Sequence, residues 1–482
     1  MTDADRLGRR LADLRRARDA GRGAAGAEDV RRDAVRTEGL RRAELARVSA
    51  ERAERLAAAV DGEWVRGPAG GYVRVESPPI ELPIDRERLG RLPDGAPPDV
   101  PLVCLDTETT GLATGTGVVA WLVGLGHWRG DRFCQVQLML PDHAEEPALL
   151  EALATSIPSD AWLVTYNGRG FDWPLLVTRY RMSRRAPPPH AGHLDLLPFV
   201  RRIYRHRLSD ARLRTVEIEL LGIDRGPDVD GWEIPGRFLQ FLGGGAAGPL
   251  AEVVRHNHED VRSLARLLAH AETRLGTESD RRSAPVGDLA GLARAYGRLG
   301  RPNEALDCLE VALEQRPSRV TAGRSWTALL TTRADAPDER TPADRHDREA
   351  LLVERARLLR RLGRHDEALA TWRDLGFGGG HWAGVGWIEV AKILEHRCRD
   401  PVGALEACGR AHRIAERARL LGHRLPQLEA DLARRRRRLA RRIAAGAGRS
   451  CELQSGHGPG PDGPTDAGSS SGAVASVAIG GA

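Results

Sequence analysis

Two carboxylates one residue apart, Asp106 and Glu108, follow the apolar run Leu102-Val103-Cys104-Leu105. Such a run reads as a fully buried strand. Residues i and i+2 of a strand point to one face, so both acids emerge side by side where the strand ends. Neighbouring anions repel and are costly to bury unless a cation sits between them. Hard divalent ions such as Mg²⁺ or Mn²⁺ take carboxylate oxygens and suit that position. The competing reading is a strand that ends in a polar, helix-capping turn.

Two further segments bear on that choice. In Trp162-Leu163-Val164-Thr165-Tyr166-Asn167-Gly168-Arg169-Gly170-Phe171-Asp172-Trp173-Pro174, an apolar strand runs into a glycine-bearing turn. A helix then opens near Asp172, with Pro174 tolerated in its first turn. Farther on, His256, Asp260, Leu264 and Leu268 recur at four-residue intervals. They form one helix face, apolar in its later part and polar at its start. Docked on the sheet, that face aims His256 and Asp260 at the strand end.

In chain order, Asp106, Glu108, Asp172 and Asp260 now stand beside one histidine. The constellation resembles the DEDD superfamily of 3′→5′ exonucleases, which have a ribonuclease H-like fold. The surrounding phrases resemble the YprB-type ribonuclease H-like domain more closely. They include Gly115-Thr116-Gly117, Trp121-Leu122-Val123-Gly124-Leu125-Gly126, Phe171-Asp172-Trp173-Pro174-Leu175-Leu176, His193-Leu194-Asp195-Leu196-Leu197, Trp232-Glu233-Ile234-Pro235 and His256-Asn257. The resemblance covers roughly residues 97 to 275. One departure stands out: DEDD enzymes place a Tyr four residues, or a His five residues, before the final acid. Here the histidine is four before, and Arg255 occupies the five-before position.

The resemblance implies a metal-dependent 3′→5′ exonuclease that hydrolyses phosphodiester bonds of a single-stranded DNA or RNA end. Asp106, Glu108, Asp172 and Asp260 would hold two divalent ions, Mg²⁺ or Mn²⁺. In such sites the ions lie roughly 3.5–4 Å apart and hold the attacking and leaving oxygens. His256, with an ordinary pKa of about 6.5, would serve as the base. Thr107 and Asn167 flank the site, either contacting the scissile phosphate or terminal nucleotide or shaping the turns. The alternative function is a non-catalytic nucleic-acid-binding or scaffolding protein.

The fold expected is an α/β ribonuclease H-like mixed sheet with helices on both faces, followed by an α-helical tetratricopeptide-like domain. Strands are predicted over 103–107, 117–128, 132–140 and 161–166, a further short strand at His193 to Leu197, and helices over 145–156, 172–182 and 250–273. Residues 1–60 are an Arg/Ala-rich, partly helical or disordered segment. Residues 61–96 are an extended Pro-rich lead-in, 97–275 the ribonuclease H-like domain and 276–287 a polar linker. Residues 288–445 carry the repeats, with copies at Leu292 to Pro317 and Arg357 to Leu369, and a weaker one from Ile388 to Leu405. They bind a protein partner or brace a neighbouring domain. Residues 446–482 form a Gly- and Ser-rich tail expected to be disordered.

With 482 residues, 73 Lys or Arg and 67 Asp or Glu, the chain carries a formal charge of +6. That suits an anionic partner, but nearly all the cations are Arg, with Lys392 the single lysine, so composition alone says little. The run Arg434 to Arg438 either grips phosphates or forms a solvated helix face. Gly376 to Gly384 lacks a Gly-Lys-Ser/Thr ending and reads as an interhelix loop. The six scattered cysteines have no Cys-x-x-Cys spacing and read as reduced thiols. No apolar leader core opens the chain, and the apolar stretch around Val118 to Leu125 is too short to cross a bilayer. The expectation is a soluble cytoplasmic protein without a membrane partner.

Overall fold

The apolar run around Leu102 opens β3 (Leu102–Thr109), and its side chains alternate between two separate cores. Leu102 and Cys104 join one apolar cluster, Val103 and Leu105 the other, as the two-residue period of a strand requires. This is a computed structural model, describing residues 36–111 (except 39 and 42), 115–315, 348–423 and 426–454, with side chains to 445. The chain divides at Leu362/Gly363 into two units.

In the first unit β1 (Glu63–Gly67), β2 (Gly70–Glu81), β3, β4 (Ala120–Arg129), β5 (Arg132–Met139), β6 (Trp162–Thr165) and β7 (Gly192–Asp195) form a seven-stranded mixed sheet. Its order is β1-β2-β5-β4-β3-β6-β7. The first five strands in that order pair antiparallel, whereas β3, β6 and β7 run parallel. One cluster packs a helix over 43–60 (α1), α3 (Glu146–Ser156), α4 (Asp172–Met182) and α7 (Ile234–Leu242) on the sheet. The other packs α2 (Arg86–Arg91), α5 (Leu196–Ile203) and most of α8 (Gly248–Leu275). A short α6 (Leu213–Val216) precedes α7. On α8, Leu264 and Leu268 are almost fully buried, each burial contributing about 1.5–3 kcal/mol.

Three expected boundaries move. The Pro-rich lead-in is part of the sheet: β1 and β2 form its edge, and α2 packs beneath it. Pro78 and Pro79 are accommodated where the β2–β5 register shifts between Ser77 and Ile80, because a bulge releases residues that cannot donate to the ladder. The polar linker holds α9 (Glu278–Arg281) and the start of α10 (Val286–Arg298). The helical region does not begin a new core there. Leu289, Leu292 and Ala293 of α10, and Leu309 of α11 (Pro302–Glu314), join the cluster that contains Leu264 and Leu268. With α12 (Arg348–Arg361) they belong to the first unit, so the division falls inside the expected second repeat. The short strand at His193 ends at Asp195, whose carboxylate caps α5 by accepting from Leu197 N–H.

The second unit contains α13 (His365–Gly378), α14 (Ala383–His396), α15 (Pro401–Leu420) and α16 (Pro426–Gln454). The Gly376 to Gly384 run ends α13, with Gly379 left-handed at φ 70°, and leads into α14. Gly386 allows α14 close to α13, since a Cβ there would lie 2.9 Å from the Trp372 carbonyl oxygen. The expected disordered tail is corrected at its start: helix α16 runs to Gln454. The remainder of that tail, residues 1–35 and the end of the first repeat beyond Gln315 lie outside the described residues. Among the described residues no helix is long and apolar enough to cross a membrane.

Candidate active site

Asp106 and Glu108 continue the face of β3 that begins with Leu102 and Cys104, and α8 covers that face. Asp106 pairs in register with Gly124 on β4. A Cβ on Gly124 would lie 2.2 Å from Asn257 Oδ1, and one on Gly126 would lie 2.9 Å from a Val261 methyl. Glycine at both positions therefore lets α8 settle on β4. The fully buried Asn257 then donates its amide N–H to Asp106 Oδ2 (2.8 Å), while Gln137 donates to Asn257 Oδ1 (2.8 Å).

Thr107 points the opposite way. It is buried, and its hydroxyl donates to Asp172 Oδ1 (2.5 Å) at the first turn of α4. The preceding loop is held by Asp195, whose carboxylate accepts from Asn167 N–H (2.8 Å) and Arg169 N–H (3.2 Å). Asn167 adopts a left-handed backbone (φ 68°) and its side chain is exposed. Asp195 thus anchors the turn that presents α4.

From α8, His256 Nε2 stands 3.6 Å from Asp260 Oδ2 and 4.0 Å from Glu108 Oε1. Its other nitrogen, Nδ1, lies 2.8 Å from Asp228 Oδ2. A carboxylate there accepts a proton-bearing nitrogen, so in the neutral ring the Nε2 lone pair faces the acids. Asp228 is held below its ordinary pKa: burial works against this but is outweighed by His256 and neighbouring donors. Asp260 Oδ1 is 2.6 Å from Arg225, which also pairs with buried Glu217 and lies 3.4 Å from Asp228. Beside these groups a pocket of ≈ 280 Å³ is lined by Arg225, Asp228, Arg255 and His256.

The acids are close enough to repel. Asp106 is raised well above an ordinary aspartate by burial first, then by the charges of Asp260, Asp172 and Glu108. Glu108 is raised well above its usual value by burial, Asp260, Asp172 and Asp228. Burial pushes Asp172 up to about 6 although the Thr107 hydroxyl opposes it. An all-oxygen donor set with surplus negative charge fits a hard divalent cation. Among the described residues, however, no three acids, histidines or cysteines stand already arranged around one ion. Three of the four acids are instead turned to donors of their own: Asp106 to Asn257, Asp172 to Thr107, Asp260 to Arg225. Asp228, Arg225 and the role of Asn257 are absent from the sequence-based site. Only the His256-Asn257 phrase pointed toward the last of them.

All seven expected site residues, Thr107 and Asn167 included, fall within residues 103–272, which match the RNase_H_2 family, RNase_H superfamily. The chain is also 33% identical over 245 residues to the uncharacterized protein YprB of Bacillus subtilis (strain 168). That similarity covers 50% of this chain and 58% of the relative's own length.

Proposed function

We propose that the chain is a divalent-metal-dependent 3′→5′ exonuclease acting on a single-stranded DNA or RNA end. The observation that carries this reading is the gathering of Asp106, Glu108, Asp172 and Asp260 beside a histidine whose Nδ1 is engaged by Asp228. The ribonuclease H superfamily membership of residues 103–272 supports nuclease chemistry. The direction of attack rests on the resemblance to DEDD exonucleases. Asp106, Glu108, Asp172 and Asp260 would hold two divalent ions, Mg²⁺ or Mn²⁺. Bound there, they would supply positive charge to the scissile phosphate and lower the pKa of water.

The chain's own groups do the rest. Asp228 fixes the ring of His256 so that Nε2 can take a proton from attacking water. Asn257 and Thr107 hold Asp106 and Asp172 against their mutual repulsion. Arg225 neutralises Asp260 until the acids are otherwise compensated. Trp232, 70% exposed four residues after Asp228, offers a flat face on which a terminal base can stack.

A non-catalytic nucleic-acid-binding role has one observation in its favour, that Arg225 already supplies Asp260 with a cation. Incubation with end-labelled single- and double-stranded DNA and RNA in Mn²⁺, Mg²⁺ or EDTA separates the two. Stepwise shortening from the 3′ end with Mn²⁺, blocked by EDTA and by Asp106→Asn, is the expected result. Binding without shortening in any metal would establish the non-catalytic role.

A further inference from the structure

In the second unit, α16 has two unlike sides. Leu432 and Leu439 are buried, and between them Arg435 is also buried, with Nη1 2.9 Å from Glu395 Oε2. Glu395 of α14 is itself only 2% exposed and takes two further arginines, Arg438 at 2.7 Å and Arg442 at 3.5 Å. A buried carboxylate with three guanidiniums is over-compensated and leaves net positive charge at the helix surface. The expectation of a wholly solvated face is therefore corrected at Arg435.

Bordering this contact, Arg434, Arg437, Arg438, Arg441 and Arg442 line one groove of ≈ 450 Å³. Their spacing of three and four residues puts them on one helix face, extending about 12 Å along the axis. Arg438 and Arg442 are oriented through Glu395, while Arg434, Arg437 and Arg441 are exposed. No large apolar side chain interrupts the row, which disfavours a membrane surface, where Trp, Phe or Leu would insert beside the cations.

We propose that this groove is a second nucleic-acid site, a sequence-independent grip on the phosphodiester backbone of a single strand. The choice of a nucleic acid over an acidic protein rests on the exonuclease reading, because that activity requires the same polymer. Guanidiniums match phosphate oxygens bidentately, and five on one face provide charge with no means of reading bases.

The test uses the full chain in EDTA, so that binding is read without cleavage. Fluorescein-labelled single-stranded DNA and RNA are titrated across a salt series, against the triple variant Arg434→Gln/Arg437→Gln/Arg441→Gln. That variant leaves the arginines on Glu395 in place, and unchanged circular dichroism and melting verify its fold. Single-stranded binding loses about 0.7 in log–log salt slope per phosphate contact removed. The expected drop is therefore about 2 in slope, with affinity reduced at least tenfold at low salt and similarly for DNA and RNA. An unchanged slope and affinity would overturn the proposal, as would loss of binding to polyglutamate but not to oligonucleotide. Cleavage in Mn²⁺ is scored separately. Absent cleavage with a lost salt slope sinks the exonuclease reading alone, and normal cleavage with an unchanged slope sinks the groove alone.

Discussion

Asp106 and Asp172 are held by neutral donors, Asn257 and Thr107, whereas Asp260 is held by the cation of Arg225. Removing one charge from such a set should relieve repulsion and abolish chemistry together. Asp106→Asn is expected to melt higher than the parent chain in EDTA, to lose the melting shift produced by Mn²⁺, and to cleave nothing. Wild-type cleavage by this variant would remove Asp106 from the site. Asp172 gives a pH dependence whose sign is determined. Its folded pKa of about 6 exceeds the ordinary carboxylate value of about 4, so the folded chain holds the extra proton between them. In EDTA, the contribution of Asp172 to stability should be greatest below that window and fall as pH rises from about 4 to about 6. Asp172→Asn should flatten this slope in urea midpoints, and a slope identical in both proteins would refute the assignment. For the histidine, His256→Ala should lower turnover by about 10²–10⁴-fold. Asp228→Asn should cost roughly 10–100-fold, as loss of an orienting partner does. Equal rates in all three proteins would put the base elsewhere. The acids were legible because strand and helix periods assign them faces. Asp228 and Arg225 were not, because they lie in an irregular loop and meet α8 from about 30 positions away, a distance that no local pattern encodes.

At the scale of elements, α8 approaches β4 closely through Gly124 and Gly126. Gly124→Val places branched carbon where Asn257 and Val261 already lie, so α8 must shift. Overpacking of this kind costs about 1–3 kcal/mol. Denaturant titration should show that loss, and cleavage should fall with it because Asn257 no longer reaches Asp106. A fully stable, fully active Gly124→Val chain would mean that α8 has slack at this contact. The sequence patterns read β3 to β6, α3, α4 and α8 to within a few residues, since each is either a buried apolar run or an amphipathic stripe. They missed β1 and β2 for a physical reason. Prolines normally exclude a strand, and here a bulge in β2 absorbs two of them without ending the pairing.

For the molecule as a whole, the core under α8 continues into α10 and α11, so the domain that carries the candidate site has no clean end at Leu275. A chain ending at Leu362 should unfold in one cooperative transition. A chain ending at Leu275 should expose Leu264, Leu267 and Leu268 and bind a hydrophobic dye or aggregate. Equal stability of the two would show that α10 and α11 are dispensable to that core. The same continuity has a consequence during synthesis. Asp106 leaves the ribosome 154 residues before Asp260, and Glu108 152 residues before it. At about 5–20 residues per second this is a delay of roughly 8–30 s. The apolar back of α8 then waits for α11, which ends at Glu314, before it is covered. A nascent chain therefore carries an incomplete cluster of acids from Asp106 until Asp260 is made, about a third of its translation, and the proposed nuclease site is assembled only after the message encoding this domain has been read.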